Sequence, residues 1–322
     1  MKMKTFVNTR LGRPWLETGI EISEADLMSR RRNVAAVPKE CDFILAAVDV
    51  QRGRGQGENG WLSVLVTAWS TDEKTHVIDR MEFTGDTSVI SGAAWTKLKE
   101  WLQTNPAWHR EDGVVMGLTA LMVDSSDQTD TVYESLPLLQ SIIGNRAFLI
   151  KGSSVMDKPI APPKVSRGKY GTPFFSIGVE QAKHTLMHRM HEDGRITYEP
   201  TLPKEVFSEL SSERLTPTRY RGRIIYKFKQ IEGKANEAWD CLVYCLAGFR
   251  LLNLNNVRKT KKKEEKQQDK EVQTAKPTVP ETKSELKSEL SNKEEDSSAN
   301  VIVEEPPPAK PKRRPKRRVF KF

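Results

Sequence analysis

Phe43-Ile-Leu-Ala-Ala-Val-Asp49 is an unbroken apolar run that ends on a carboxylate. Two other stretches share the pattern. Leu118-Thr-Ala-Leu-Met-Val-Asp124 closes on a carboxylate, and Ala238-Trp-Asp-Cys-Leu-Val-Tyr-Cys-Leu-Ala247 carries Asp240 at its start. The two shorter runs read as buried strands and the longer one as a buried helix. A carboxylate at the edge of a buried element is costly unless something compensates it. Taken singly, each aspartate reads as a turn or cap residue. Three of them from separate elements can share a divalent cation, which makes their combined charge tolerable. The pattern points to metal-dependent phosphodiester chemistry.

Outward from Asp49, strands are expected at 43–50, 61–69 and 74–83. The second alternates well at Trp61, Ser63, Leu65, Thr67 and Trp69. Gly53, Gly55, Gly57 and Gly60 mark the hairpin loop between the first two. Residues 92–103 set Trp95, Leu98, Trp101 and Leu102 at helical spacing. A strand at 118–123, a helix at 129–142 and a strand at 147–150 follow. Helices at 178–192 and 203–213, a strand at 223–230 and a closing helix at 236–252 complete a body that spans residues 41–256. Residues 1–40 read as a connecting segment around a polar helix near 23–32, with Ser23 as its cap. Trp61, Trp69, Trp95, Trp101 and Trp239 are read as core residues.

Composition changes sharply after the body. From Arg258 onward there are 19 basic and 12 acidic residues, against 52 and 43 in the whole chain. The body is therefore nearly neutral, and its partners must be read from local clusters rather than from net charge. Lys, Glu, Ser, Pro and Gln dominate residues 257–322, which predicts a disordered tail ending in the basic cluster Lys310–Arg318. Three cysteines, Cys41, Cys241 and Cys245, make no disulfide framework, and the last two share a predicted helix as small core residues. No signal peptide, membrane-spanning run or lipidation motif is present, so no membrane partner is expected and the simplest compartment is a reducing cytoplasm.

Five segments in order resemble the C-terminal, nuclease half of the large terminase subunit of lambda-like tailed phages. They are Phe6-Val-Asn-Thr-Arg-Leu-Gly-Arg-Pro-Trp15; Ala47-Val-Asp-Val-Gln51; Val123-Asp-Ser-Ser126 with Thr131-Val-Tyr133; Ile150-Lys-Gly152; and Asn236-Glu-Ala-Trp-Asp-Cys-Leu-Val-Tyr244. The resemblance covers roughly Thr5 to Asn253. It implies an α/β, ribonuclease H-like mixed sheet flanked by helices, and an endonuclease that cuts concatemeric DNA during genome packaging in the host cytoplasm. It also implies double-stranded DNA, a small terminase subunit, a packaging ATPase and the capsid portal as partners. In ribonuclease H-like domains the acids come from the first strand, a later central strand and a late helix, which match Asp49, Asp124 and Asp240. Two departures stand out: a long Gly-rich loop after Asp49, and Ser125-Ser126 where a glycine pair is usual. The sequence has no G-x-x-x-x-G-K-[ST] phosphate loop, so the ATPase is expected to be separately encoded or lost. The alternative is a non-catalytic prophage remnant that binds DNA or docks on the portal.

For the chemistry, two Mg²⁺ or Mn²⁺ ions are expected, held by Asp49 between them and by Asp124 and Asp240 on either side. Glu237, three residues before Asp240, faces the same way on a helix, as a further ligand or a first-turn residue favoured by the dipole. Lys151, Arg52 and Arg54 are candidate DNA-backbone contacts, each also readable as a solvated loop residue. His184, His188 and His191 share a helical face at zinc-compatible spacing, but no neighbouring ligand completes a site, so a polar stripe is expected.

Overall fold

The central strand of the molecule is apolar on both faces because both faces are covered. The computed structural model describes residues 20–53, 59–155, 157–192, 194–220 and 223–256. In chain order these form β1 (Ile20–Glu21), α1 (Glu24–Ser29), β2 (Cys41–Gln51), β3 (Gly60–Ser70), β4 (Thr75–Gly85), α2 (Ala93–Gln103), β5 (Ala107–His109), β6 (Val115–Asp124) and α3 (Thr129–Ile143). There follow β7 (Ala147–Ser153), β8 (Ser166–Arg167), β9 (Pro173–Gly178), α4 (Val179–His191), β10 (Ile196–Tyr198), α5 (Lys204–Leu210), β11 (Glu213–Tyr220), β12 (Arg223–Gln230) and α6 (Glu237–Leu251).

The main sheet runs β10-β4-β3-β2-β6-β7-β9-β8, with β5 paired to β6. β2, β3 and β4 are an antiparallel meander, and β6 joins β2 in parallel, followed by β7 and β9. Three antiparallel strands followed by the parallel β6 and β7, each reached through a helix, is the ribonuclease H-like order that the resemblance implies; β9 follows β7 without an intervening α-helix. Alternation along β2 sends Leu45 and Ala47 to one side and Ile44, Ala46, Val48 and Val50 to the other. The first side is covered by α4, α5 and α6, with Trp69 stacked on Phe249 at 5.2 Å; the second carries Trp95, Leu98 and Leu139 from α2 and α3. A second, three-stranded sheet, β1-β11-β12, is antiparallel throughout.

Several expectations need correction. Residues 20–40 contribute Ile22, Leu27 and Val37 to the buried core and so belong to the body rather than to a connector. Ser23 does cap α1, accepting from the Asp26 amide, but the helix ends at Ser29. The helix expected over 203–213 stops at Leu210, and Glu213 begins a strand. That strand contains Pro217, which normally argues against a strand. Among the described residues β1 pairs only with Arg214 and Leu215, and on its other side Pro217 lies opposite Tyr226 of β12. Of the five tryptophans, Trp69, Trp95 and Trp239 are buried, whereas Trp61 and Trp101 are only partly so. All three cysteines are buried and free. Segment Phe6–Trp15, Arg54 and the tail 257–322 lie outside the described residues.

Candidate active site

The register of β2 against β6 decides what meets what. Val48 pairs with Val123 in parallel, so the next residues of the two strands, Asp49 and Asp124, are neighbours at the same level. By alternation both project with Ala47 and Met122 toward the α6 face. There α6 lies close against the sheet: a Cβ on Gly248 would come within 2.4 Å of Met122, and Cys245 Sγ reaches the Leu45 carbonyl. One stripe of α6, Asp240-Tyr244-Gly248, faces β6 at i, i+4 spacing. The helix start is fixed by Glu209, which accepts the Ala238 amide at 2.8 Å and pairs with Arg80 at 3.2 Å. A carboxylate there satisfies an otherwise orphaned N–H and complements the helix dipole. Asp49, Asp124, Asp240 and Glu237 are thus brought together, and the first two and Glu237 are buried.

Each acid has its own partners. Gln51 donates to Asp49 at 2.6 Å. Ser126 donates to Asp124 from both its amide, at 3.1 Å, and its hydroxyl, at 2.9 Å, while Ser125 donates to the Ile150 carbonyl from both groups. The serine pair therefore ties the carboxylate and its loop to β7, a task glycine side chains cannot perform. Tyr244 also hydrogen-bonds Asp124. Asn236 donates to Asp240 at 2.7 Å.

Lys183 completes the site, and the sequence reading passed over it. Its ammonium lies 3.0 Å from Asp240 and donates to Glu213 at 2.6 Å, while Trp239 Nε1 donates to the other Glu213 oxygen at 3.1 Å. Lys183 and Glu213 are both buried. The available signal is a lone cation on the apolar stripe of α4, among Ala182, Leu186, Met187 and Met190.

The electrostatics follow from burial among like charges. Burial, then the charges of Asp124 and Asp240, hold the Asp49 carboxyl well above the usual carboxylate range against the Gln51 hydrogen bond. Burial pushes Asp124 up to about 6, opposed by the Ser126 and Tyr244 hydrogen bonds. Asp240 is raised by burial, with Lys183 pulling the other way. Burial alone would lower the Lys183 ammonium, but Asp240 and Glu213 outweigh it and the shift is upward. Burial and the Asp124 charge keep the Tyr244 phenol protonated, as a neutral donor.

Among the described residues, no three His, Cys, Asp or Glu side chains are disposed about one point to hold a metal ion as they stand. Both oxygens of Asp240 are engaged, by Lys183 and by Asn236. The donor chemistry nevertheless suits a hard divalent cation: the converging groups offer carboxylate oxygens, and such a charge would relieve the repulsion that raises Asp49.

The other candidates lie apart. Lys151 follows Ile150, which faces the acids, so alternation sends Lys151 to the opposite face of β7. Arg52 is exposed and paired with Asp127. His184 and His188 pair with Glu180 and Glu192, and His184 packs edge-on against Phe228, without converging on a metal site.

The family model for the terminase large subunit gpA endonuclease domain matches residues 1–263. The terminase large subunit of Enterobacteria phage P21 is 26% identical over 284 residues, covering 81% of this chain and 42% of that protein. That of Escherichia phage lambda is 27% identical over 269 residues, covering 78% and 39%. The chain therefore spans about two-fifths of the length of these curated relatives. Among solved structures, a mutant nuclease domain of the large terminase subunit gp2 of bacterial virus Sf6 with manganese is similar, at 12% identity and a TM-score of 0.41 over 70% of this chain and 97% of that one. The human cytomegalovirus terminase nuclease domain, Mn soaked and inhibitor bound, is similar at 9% identity and a TM-score of 0.33 over 56% and 75%.

Two outcomes follow from this geometry. Lys183→Met leaves Glu213 and Asp240 without their cation and should cost about 3–5 kcal/mol in denaturant unfolding, with part recovered in a Lys183→Met/Glu213→Gln double variant. For Asp124, the folded pKa lies above the unfolded one, so the fold binds that proton more tightly than the unfolded chain. In EDTA, the unfolding free energy of wild type relative to Asp124→Asn should therefore rise as pH falls from about 6 to about 4, by on the order of 1 kcal/mol per unit, and flatten outside that window. A difference that is independent of pH would contradict this.

Proposed function

This chain belongs to the gpA family of terminase large-subunit endonuclease domains, and from that premise we propose that it is a metal-dependent endonuclease that cuts concatemeric viral double-stranded DNA during genome packaging. The observation that carries the reading is the meeting of Asp49, Asp124 and Asp240 from two adjacent parallel strand ends and one helix start. Asp49, which feels the charges of Asp124, Asp240 and Glu237, would be the shared ligand of a divalent cation, and the other three would supply further carboxylate oxygens. Divalent ions in such a site activate a water and stabilise the leaving oxygen.

The protein's own residues do the rest. Ser126 and Tyr244 keep the Asp124 oxygens directed, Asn236 and Lys183 orient Asp240, and Gln51 orients Asp49. Glu209 and Arg80 hold the start of α6, so the depth at which Asp240 enters is set outside the site. Arg52, with Arg54 beyond it in the loop, is positioned along the chain to meet DNA phosphate once it exchanges Asp127 for the ligand. In this role the partners are duplex DNA, a small terminase subunit, a packaging ATPase and the capsid portal, and the compartment is the host cytoplasm. Among the described residues no helix is long and apolar enough to cross a membrane.

The test is cleavage of circular duplex DNA by the purified chain. Cutting is expected with Mn²⁺ or Mg²⁺ and not with EDTA. Asp49→Asn should reduce the rate at least about a hundredfold, on the order of 3 kcal/mol of lost transition-state stabilisation. Its unfolding midpoint in EDTA should be unchanged or higher, since a repelled charge is removed. Full activity in Asp49→Asn would overturn the assignment, and duplex binding without any cutting by wild type would leave a DNA-binding packaging factor.

A further inference from the structure

Between Lys158 and Tyr170 the chain carries Lys158, Lys164, Arg167 and Lys169 and no acidic residue. The end of this segment is a small, self-braced turn. The Gly168 amide donates to the Thr172 carbonyl at 2.9 Å, the Gly171 amide donates to the Gly168 carbonyl at 3.1 Å, and Arg167 Nη1 donates to the Gly171 carbonyl at 3.0 Å. The turn is seated on α3. A Cβ on Gly168 would lie 2.4 Å from the Tyr133 ring, so only glycine permits the contact, and Tyr133 in turn stacks on Phe174 with centroids 6.1 Å apart. Lys169 Nζ reaches Asp130 at 2.7 Å.

What this anchored turn displays is unusual. Tyr170 is 82% exposed and sits at φ 58°, a left-handed conformation that costs a non-glycine residue about 1 kcal/mol or more. Lys169 Nζ stands 5.1 Å from its ring centroid. An aromatic ring held out in water by a rigid, strained turn gains little for the fold, whereas a ligand that covers it would recover the apolar burial. The location favours one ligand. Asp130 and Tyr133 belong to the opening turns of α3, which begins five residues after Asp124. Lys164, Arg167 and Lys169 are exposed there, with Asp130 already paired to Lys169 and Glu134 one turn on.

We propose that the turn Val165–Gly171 docks the sugar–phosphate backbone of the duplex at the end of the sheet that carries the acids, on its α3 side, with Arg167 and Lys169 on phosphates and Tyr170 covering a deoxyribose while its hydroxyl donates to a phosphate oxygen. The inference rests on the nuclease reading above and names a contact surface for it. Backbone contacts of this kind fix the register of a duplex without reading its sequence.

The experiment measures equilibrium binding of the full chain to a short labelled duplex across a salt series in EDTA, where binding is read without cutting. Arg167→Gln/Lys169→Gln should lower the slope of log affinity against log salt by about 1.8, at roughly 0.9 for each phosphate contact. Tyr170→Ala should weaken binding severalfold at every salt concentration with the slope unchanged, and Tyr170→Phe should keep most of the affinity. Far-UV circular dichroism and the unfolding midpoint should stay close to wild type, because the three side chains are exposed and the Arg167–Gly171 and Lys169–Asp130 contacts are local to the turn and the start of α3. Unchanged affinity and slope in the double variant would overturn the proposal. An equal loss from neutralising two exposed lysines elsewhere, Lys39→Gln/Lys204→Gln, would also overturn it by reducing the effect to net charge. Metal-dependent cutting by wild type is scored separately: its absence beside intact, turn-dependent binding defeats the nuclease reading alone, and its presence beside turn-independent binding defeats this one alone.

Discussion

Two like charges forced into adjacent positions are the constraint around which this molecule is organised. The parallel pairing of β2 with β6 puts Asp49 beside Asp124 at the end of a sheet whose neighbouring residues are fully buried. Neither carboxylate can move away without breaking the strand register, and a register slip of one residue would send the whole apolar set of β2 to the wrong face. The surrounding structure therefore supplies compensation. Gln51, Ser126 and Tyr244 donate to the two acids, and Lys183 brings a buried cation to Asp240 and Glu213. The fold tolerates the acids because several elements distant in sequence are committed to them.

That division explains what could be read from the sequence. β2, β3, α2, α3 and α6 follow from local periodicity, and the positions of the three aspartates at element ends are visible in the same runs. The resemblance to a phage nuclease family supplied the order in which they meet. The counterion network was not legible in the same way. Lys183 and Glu213 are thirty residues apart, and nothing local in either says that one lies opposite the other. Lys183 shows only as a charge on an apolar helical stripe, a sign easily lost beside the more conspicuous histidines of the same helix.

The missed strands have simpler causes. β9 opens on Pro173 and β11 contains Pro217, residues that count against a strand unless its edges are known. β1, β8 and β10 are two or three residues long and exist only through their partners. Lys151 reads from its place after a buried strand as a contact for the DNA backbone, but its face follows from parity once Ile150 is known to point inward. The structural chemistry of a strand end depends on which of two sides a residue takes, and that is fixed by pairing rather than by composition.

The carboxylates that meet in this cleft do not stand on equivalent supports. Two are carried by neighbouring strands whose separation is set by backbone hydrogen bonds at about 4.8 Å, a spacing no side-chain substitution can alter. The third rides on α6, whose position is set by the Glu209 cap at one end and by the contact of Gly248 with Met122 further along. The cleft is in effect a vice with one fixed jaw and one adjustable jaw. Among related chains with the same sheet, any difference in the spacing of these carboxylates must be written in how the helix seats, in residues remote from the acids themselves.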